Sequence, residues 1–402
     1  MALATYADLA RNPVVRRVLV LGFFVRIPLW AASIVLTLHV VGHLDRSYTE
    51  AGVLQMVYSL ALAVSGPWRG RRLDRVGLRK SLVPSLVVLT LCWSIAPWVG
   101  FWLLVAFVAV AGLFMMPIFS IVRQVLIGAV SDEDRTAVLS IDSVVVEMSF
   151  MIGPVLGVLG AVYLPTAVAL LIFQLTAVVG GLALWIDNPP FGDDVHATGE
   201  KHRVREWLSP TVVAILVISA TATVILVGED LGTVAALREM GHTSSIGWVL
   251  ALWGLGSALG GIVYGALHKH PPASVLLVLL AATTAFVAVS SGRTTFTLLL
   301  FVSGFFCAPT ITATIDDLTR AVPASVRGEA MGWHGSALTV GGAAGAPVVG
   351  WAIDHDGWQG AFEIAGFLGL AMALGGLGVQ AVRRRDRAGA VPVPVQPAHT
   401  VD

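Results

Sequence analysis

Four ionisable residues, Arg26, Asp142, Glu147 and His334, fall inside long apolar stretches of the sequence. A charge at the centre of a bilayer costs at least a few kcal/mol, so groups of this kind mark ion pairs, proton relays or solute paths. At a rise of about 1.5 Å per residue, Arg26 lies about 12 Å and Glu147 about 13 Å from the basic-flanked ends of their apolar runs. Equal depth leads us to expect that the two face each other, as a pair that is either structural or broken by protonation or solute. A buried pair serving neutrality alone is an equally good reading. His334 can titrate near neutral pH and carry a proton, although a hydrogen-bonded core histidine explains it as well. Arg123, followed by Gln124 and Gly128, stands near the end of its run and either lines the same path or snorkels to the interface. Proton coupling and solute binding are the chemistry that Arg26, Glu147, Arg123 and His334 can do. Two acidic pairs, Glu229 with Asp230 and Asp316 with Asp317, sit where apolar runs end and read as solvated helix ends.

Other chemistries lack their residues. There is no G-x-x-x-x-G-K-[ST] phosphate loop, so ATP is not the expected energy source, and neither H-E-x-x-H nor G-x-S-x-G occurs, which argues against an enzyme. Cys92 and Cys307 lie far apart in apolar runs, a spacing that makes neither a disulfide framework nor a metal site. No cofactor motif is present. Balanced charge, 25 basic against 25 acidic residues, offers no field for nucleic acid. The expected partners are therefore a small-molecule substrate, protons and the lipid bilayer.

The elements that position these residues are helices in lipid. The chain has 402 residues, 56% apolar and only 12% charged, and its mean hydropathy is +0.83. Apolar runs of about 20 residues, each enough to cross a hydrocarbon core about 30 Å thick, recur along the whole sequence. Read between charged and Pro/Gly breaks, they number twelve, from 18–41 to 360–382. A closed barrel, the other structure that satisfies its backbone in lipid, would show short alternating segments instead. Of the 25 basic residues, 21 fall on the side of the N-terminus, three on the other and Arg26 between them, so both termini are expected in the cytoplasm. The 22 arginines against three lysines resemble GC-rich bacterial coding, which points to a bacterial plasma membrane.

A polar stretch, 187–208, divides the spans six and six into an N-terminal bundle, 1–186, and a C-terminal bundle, 209–385, with a Pro-rich tail, 386–402, expected to be disordered. An offset of 192 residues lays Pro117 on Pro309, Ser120 on Thr312, Val130 on Val322, Arg135 on Arg327 and Gly153 on Gly345, and also Asp142 on His334. Five such matches at one offset indicate duplication, and pseudo-symmetric halves around a central cavity are a recurring plan of secondary transporters.

The most specific local signal is Gly70-Arg-Arg-Leu-Asp74-Arg75-Val-Gly77-Leu-Arg79-Lys80, between the second and third spans. It resembles the signature loop of the major facilitator superfamily, G-x-x-x-D-R-x-G followed by basic residues. Gly70, Asp74, Arg75, Gly77 and Arg79 match, and Leu78 departs from the pattern at the first basic position. The resemblance implies an all-helical fold of twelve membrane helices in two six-helix bundles that rock around a central site, with Gly70 to Lys80 as a gating loop. Asp74 would then engage the start of the eleventh span near Val326 to Gly328, because helix N-termini attract negative charge. The matching loop of the second half has Gly265 where the carboxylate would sit. Gly153-Pro154-Val-Leu-Gly157 resembles an element of the superfamily's exporters, in which Pro frees a backbone group and Gly thins the helix, giving a bend and a close-packing face. These resemblances imply proton-coupled efflux of a drug-like compound or metabolite by a multi-pass transporter. An uptake permease for a sugar or organic acid is the nearest alternative, and a non-transporting sensor or scaffold a more distant one.

Overall fold

A computed structural model describes residues 9, 11–131, 134–188, 207–267, 269–323 and 326–389. Among them the chain is all-helical, and twelve membrane helices follow one another. Helix α1 is Pro13–Leu38, extended by a π-turn over His39–His43. Tyr48–Ile95 is a single run that turns at Gly77 into α2 (48–76) and α3 (78–95). Helix α4 comes in two pieces, Phe101–Leu113 and Ile118–Gly128. Then follow α5 (Arg135–Tyr163), α6 (Thr166–Asp187), α7 (Pro210–Glu239), α8 (Ile246–Ala266) and α9 (Ala273–Val287). Helix α10 is again in two pieces, Arg293–Gly304 and Cys307–Ala321, and Arg327–Gly389 turns at Gly357 into α11 (327–356) and α12 (358–389). Residues 189–206 of the expected linker and 390–402 of the expected tail lie outside the described residues, while α12 reaches Gly389.

Local chemistry sets these limits. Asn12 caps α1 through its side chain with Pro13 next to it, Ser209 and Pro210 open α7 in the same way, and Ser47 with Glu50 forms a reciprocal capping box on α2. Gly77 and Gly357 have φ of 77° and 71°, where a Cβ is penalised, so each sharp reversal falls on the residue that tolerates it.

The duplication is visible in the breaks. Helix α4 opens at Phe114 and α10 at Phe305 and Phe306, so the interruptions fall at nearly the same offset as the sequence matches. An interrupted helix in lipid needs other donors for its freed carbonyls. At α4 these are Ser65, 3.3 Å from the Gly112 carbonyl, and Arg69, 3.4 Å from that of Leu113. This explains why Arg69, which by sequence belongs with the loop arginines, is buried and also bonds to Ser85 on α3.

Each bundle has its own apolar core, and a further cluster joins Ile34, Leu38 and Val158 of the first half to Leu231, Val234 and Val349 of the second. The halves meet most closely at the end opposite the chain termini. There the Gly52 backbone lies against Ala346 and Pro347, Gly350 against Tyr48, and Gly247 against Val155, approaches that leave no room for a Cβ. Among the described residues, the hydrogen bonds that cross between bundles also lie at this far end. The Asp354 carboxylate of α11 accepts from the Tyr48 and Thr49 backbone N–H at 2.9 and 2.8 Å and from the Thr49 hydroxyl, and Arg238 donates to the Tyr48 hydroxyl at 3.1 Å. Toward the opposite end, Gly332 and Gly335 on α11 have no neighbour among the described residues where a Cβ would be. The bundles are thus closed at the far end. Gly52→Val is expected to prevent that closure. A cysteine placed at Ser33 in the cavity should then react several-fold faster with an impermeant maleimide added from the far face.

Candidate functional site

Two adjacent cavities of about 360 and 270 Å³ share Trp30, Ser33 and Gln55 in their walls. The larger lies within the N-terminal bundle, lined by Tyr58, Trp93, Met116 and Phe119, with Gln174 as a second amide. The smaller lies between the bundles, with Phe150 and Pro154 on one wall and Leu250, Trp253, Glu229 and Asp230 on the other. Apolar and aromatic walls with a few polar groups are what a pocket for a small organic molecule requires.

A charged network stands behind the larger cavity. Arg26 and Asp142 are wholly buried and joined at 2.7 Å, and Arg123 from the second piece of α4 donates its Nε to the other Asp142 oxygen at 3.3 Å. The Arg26 guanidinium packs 4.9 Å from the centre of the Phe119 ring, so one aromatic side chain separates it from the cavity. Equal depth along the helices pointed to Glu147, whose side chain lies outside the described ones; the structure joins Arg26 to Asp142, five residues earlier on α5. Helical side chains slant toward the N-terminus, and a long arginine travels farther down that slant than a short carboxylate. Asp142 is therefore within its reach. At the repeat-related position, His334 pairs its Nε2 with the Thr314 hydroxyl on α10 at 2.9 Å and is likewise buried.

Glu229 differs from the solvated helix end read from the sequence. It is 1% exposed and accepts hydrogen bonds from Trp253 Nε1 at 3.0 Å, from the Thr284 hydroxyl at 2.8 Å and from the Ser303 hydroxyl. Three helices of the C-terminal bundle thereby converge on one carboxyl group beside the smaller cavity.

Gly153 and Gly157 pack α5 against α1: a Cβ at either would meet the backbone between Ile27 and Ala31. Helix α5 runs unbroken through Pro154, whose carbonyl is 3.2 Å from the Cβ position of Gly247, so the motif marks where α5 touches both α1 and α8. The stretch expected as a gating loop is helical except at Gly77, its first part closing α2 and Leu78 to Lys80 opening α3, and the side chains of Asp74 and Arg75, and Gly70 with them, lie outside those described. Arg79 donates to the carbonyls of Trp185 and Ile186 at 3.0 Å each, binding the start of α3 to the C-terminal end of α6, where a cation is favoured; Lys80 is exposed. Arg79→Ala should cost about 0.5–1 kcal/mol of stability, read in chemical unfolding, without altering the cavity.

Comparison with solved structures shows the same fold. A mutant of the nucleoside transporter NupG superposes with a TM-score of 0.75 at 10% identity, covering 91% of this chain and 99% of that one. A bacterial homologue of the human lysosomal transporter Spinster, inward-facing and unoccupied, gives 0.68 at 14% identity over 95% and 100%. A peptide transporter, POT, in complex with sulfate gives 0.70 at 15% over 92% and 95%. Comparison with curated protein sequences returns no match. The family model of the Major Facilitator Superfamily matches residues 18–228 and 208–401, nearly the whole sequence, and the chain belongs to that superfamily.

Proposed function

We propose that this transporter exports small amphipathic organic molecules, preferentially cationic and aromatic ones, across a bacterial plasma membrane in exchange for protons, with both termini in the cytoplasm. The observation that carries the reading is the pair of adjacent cavities: their walls include aromatic, methionine and amide side chains, and their ionisable groups near the bundle interface are the carboxyls of Glu229 and Asp230. A flat cation is stabilised by aromatic faces and by carboxylates together, whereas an anionic solute would meet the wrong charge. The excess of arginine beside the termini supports the orientation, and with it the close contacts of Gly52, Gly350 and Gly247 between the bundles lie on the external side.

In this reading alternating access exchanges two helix caps on the same pair of helices. Asp354, at the far end of α11, holds the N-terminus of α2 in the observed state. Asp74, in the last turn of α2, would hold the N-terminus of α11 once the bundles rock, as the family resemblance implies. Each is a carboxylate at a helix N-terminus, where orphan N–H groups and the helix dipole favour it.

The test uses everted vesicles with the membrane potential clamped and ethidium as cargo. An acid lumen should drive accumulation at least several-fold above a vesicle lacking the protein. Accumulation driven instead by an alkaline lumen would establish uptake, and no exchange of any solute from a broad panel would favour a scaffold.

A further inference from the structure

The geometry points to Glu229 as the proton-carrying carboxyl of this transporter and to Trp253 as the side chain that passes its charge state to the bundle interface; this rests on the proton-coupled reading above and names its residue. Glu229 is buried, borders the cavity between the bundles and accepts all three of its side-chain bonds, from Trp253, Thr284 and Ser303. The set is made of donors, which suits a carboxylate, and no guanidinium or ammonium group is joined to it among the described residues. That distinguishes it from Asp142, whose charge is compensated by Arg26 and shared by Arg123. A carboxyl held by neutral donors can gain and lose a proton without leaving a buried cation unpaired, whereas protonating Asp142 would strand Arg26.

The consequence of protonation is local and directional. When a proton adds to Oε2, that oxygen loses its negative charge and the bond from the Trp253 N–H weakens. The Trp253 ring stands edge-on to Phe150 of the other bundle, 5.5 Å between centres, and Phe150 stands 4.9 Å from Trp30, which lines both cavities. Glu229 is thus linked through three aromatic rings to the solute space and to the surface on which the bundles rock. The titratable group beside it is Asp230, next on α7 and on the same cavity. Facing it from α8, α9 and α10 are Trp253, Thr284 and Ser303. Across the cavity α1, α2 and α5 present Ser33, Gln55 and Phe150, and α11 and α12 present Val349, Ala361 and Ala365 to the adjoining turn at Gly228. A cation in the cavity and a proton on Glu229 would then oppose each other electrostatically, which is the requirement for exchange.

The test has an arm that needs no cargo. Protein in nanodiscs, titrated between alkaline and acid pH, should show a carboxylic C=O infrared band and a tryptophan fluorescence change with the same midpoint. Glu229→Gln should lose both. Trp253→Phe should keep the infrared band and lose most of the fluorescence change, which covers the case in which Glu229→Gln does not fold. A fluorescence transition of full amplitude in folded Glu229→Gln, or one unaltered in Trp253→Phe, overturns the inference. In everted vesicles Glu229→Gln should lose acid-driven ethidium accumulation at least tenfold; retained acid-driven accumulation also overturns it. If wild type exchanges no ethidium, the reading of cargo fails, and the spectroscopic arm still decides the role of Glu229.

Discussion

Asp142→Ala is expected to be among the most destabilising single substitutions in the N-terminal bundle, costing about 3–5 kcal/mol because it leaves a wholly buried guanidinium without its counter-charge. The cost falls mainly on Arg26. Arg123, whose side chain is 52% exposed, can turn toward water and lipid headgroups when the carboxylate is gone. Equilibrium unfolding of the detergent-solubilised protein measures the loss, and the double variant Arg26→Met with Asp142→Leu should recover most of it, since the pair's worth lies in mutual neutralisation. A loss below about 1 kcal/mol for the single variant would mean that Arg26 is hydrated from the cavity, past Phe119. The same experiment on Arg26→Met alone should be milder than Asp142→Ala, because Arg123 still compensates the remaining carboxylate.

Asp354→Ala is expected to unlatch the far end. Hydrogen bonds to a charged group contribute about 1.5–3 kcal/mol each when shielded. Asp354 is exposed, so its three bonds to Tyr48 and Thr49 together are discounted to about 1–2 kcal/mol, a factor of about 5–30 between the two conformations. Spin labels at Asp45 and His242, on the two connections that meet there, should then report a longer distance in most molecules. Asp354→Glu should behave in between, because the longer side chain misplaces the oxygens. An unchanged distance distribution in Asp354→Ala would assign closure to the glycine contacts of Gly52 and Gly350 alone.

The twelve helices and their duplication were legible because both signals are long: apolar runs repeat at the thickness of a bilayer, and the 192-residue offset that aligns Pro117 with Pro309 also aligns the breaks at Phe114 and Phe306. The site was only partly legible. Charge at depth singled out Arg26 with Glu147, but depth measured along the axis ignores the slant of side chains and passed over Asp142, which the repeat offset alone had marked. Glu229 was assigned to the end of its helix because an apolar run was closed at its first acid. The signal against that was present in Leu231 to Leu237, where apolar residues resume for nearly two turns before Arg238. Arg69 shows the same limit from the other side: nothing local tells a loop arginine from one recruited to an interrupted helix on a neighbouring span.

The far-end latch has a genetic consequence. Asp354 is held by the Tyr48 and Thr49 main chain and a single hydroxyl, and main-chain N–H groups are the same whatever residue occupies those positions, proline excepted. A defect at Asp354 therefore cannot be repaired by exchanging charges with a partner, as a defect at an ion pair can. Second-site revertants should instead arise at a distance, among residues that weaken closure of the opposite end, and their map would trace the energetic counterweight to this contact without reference to any solute.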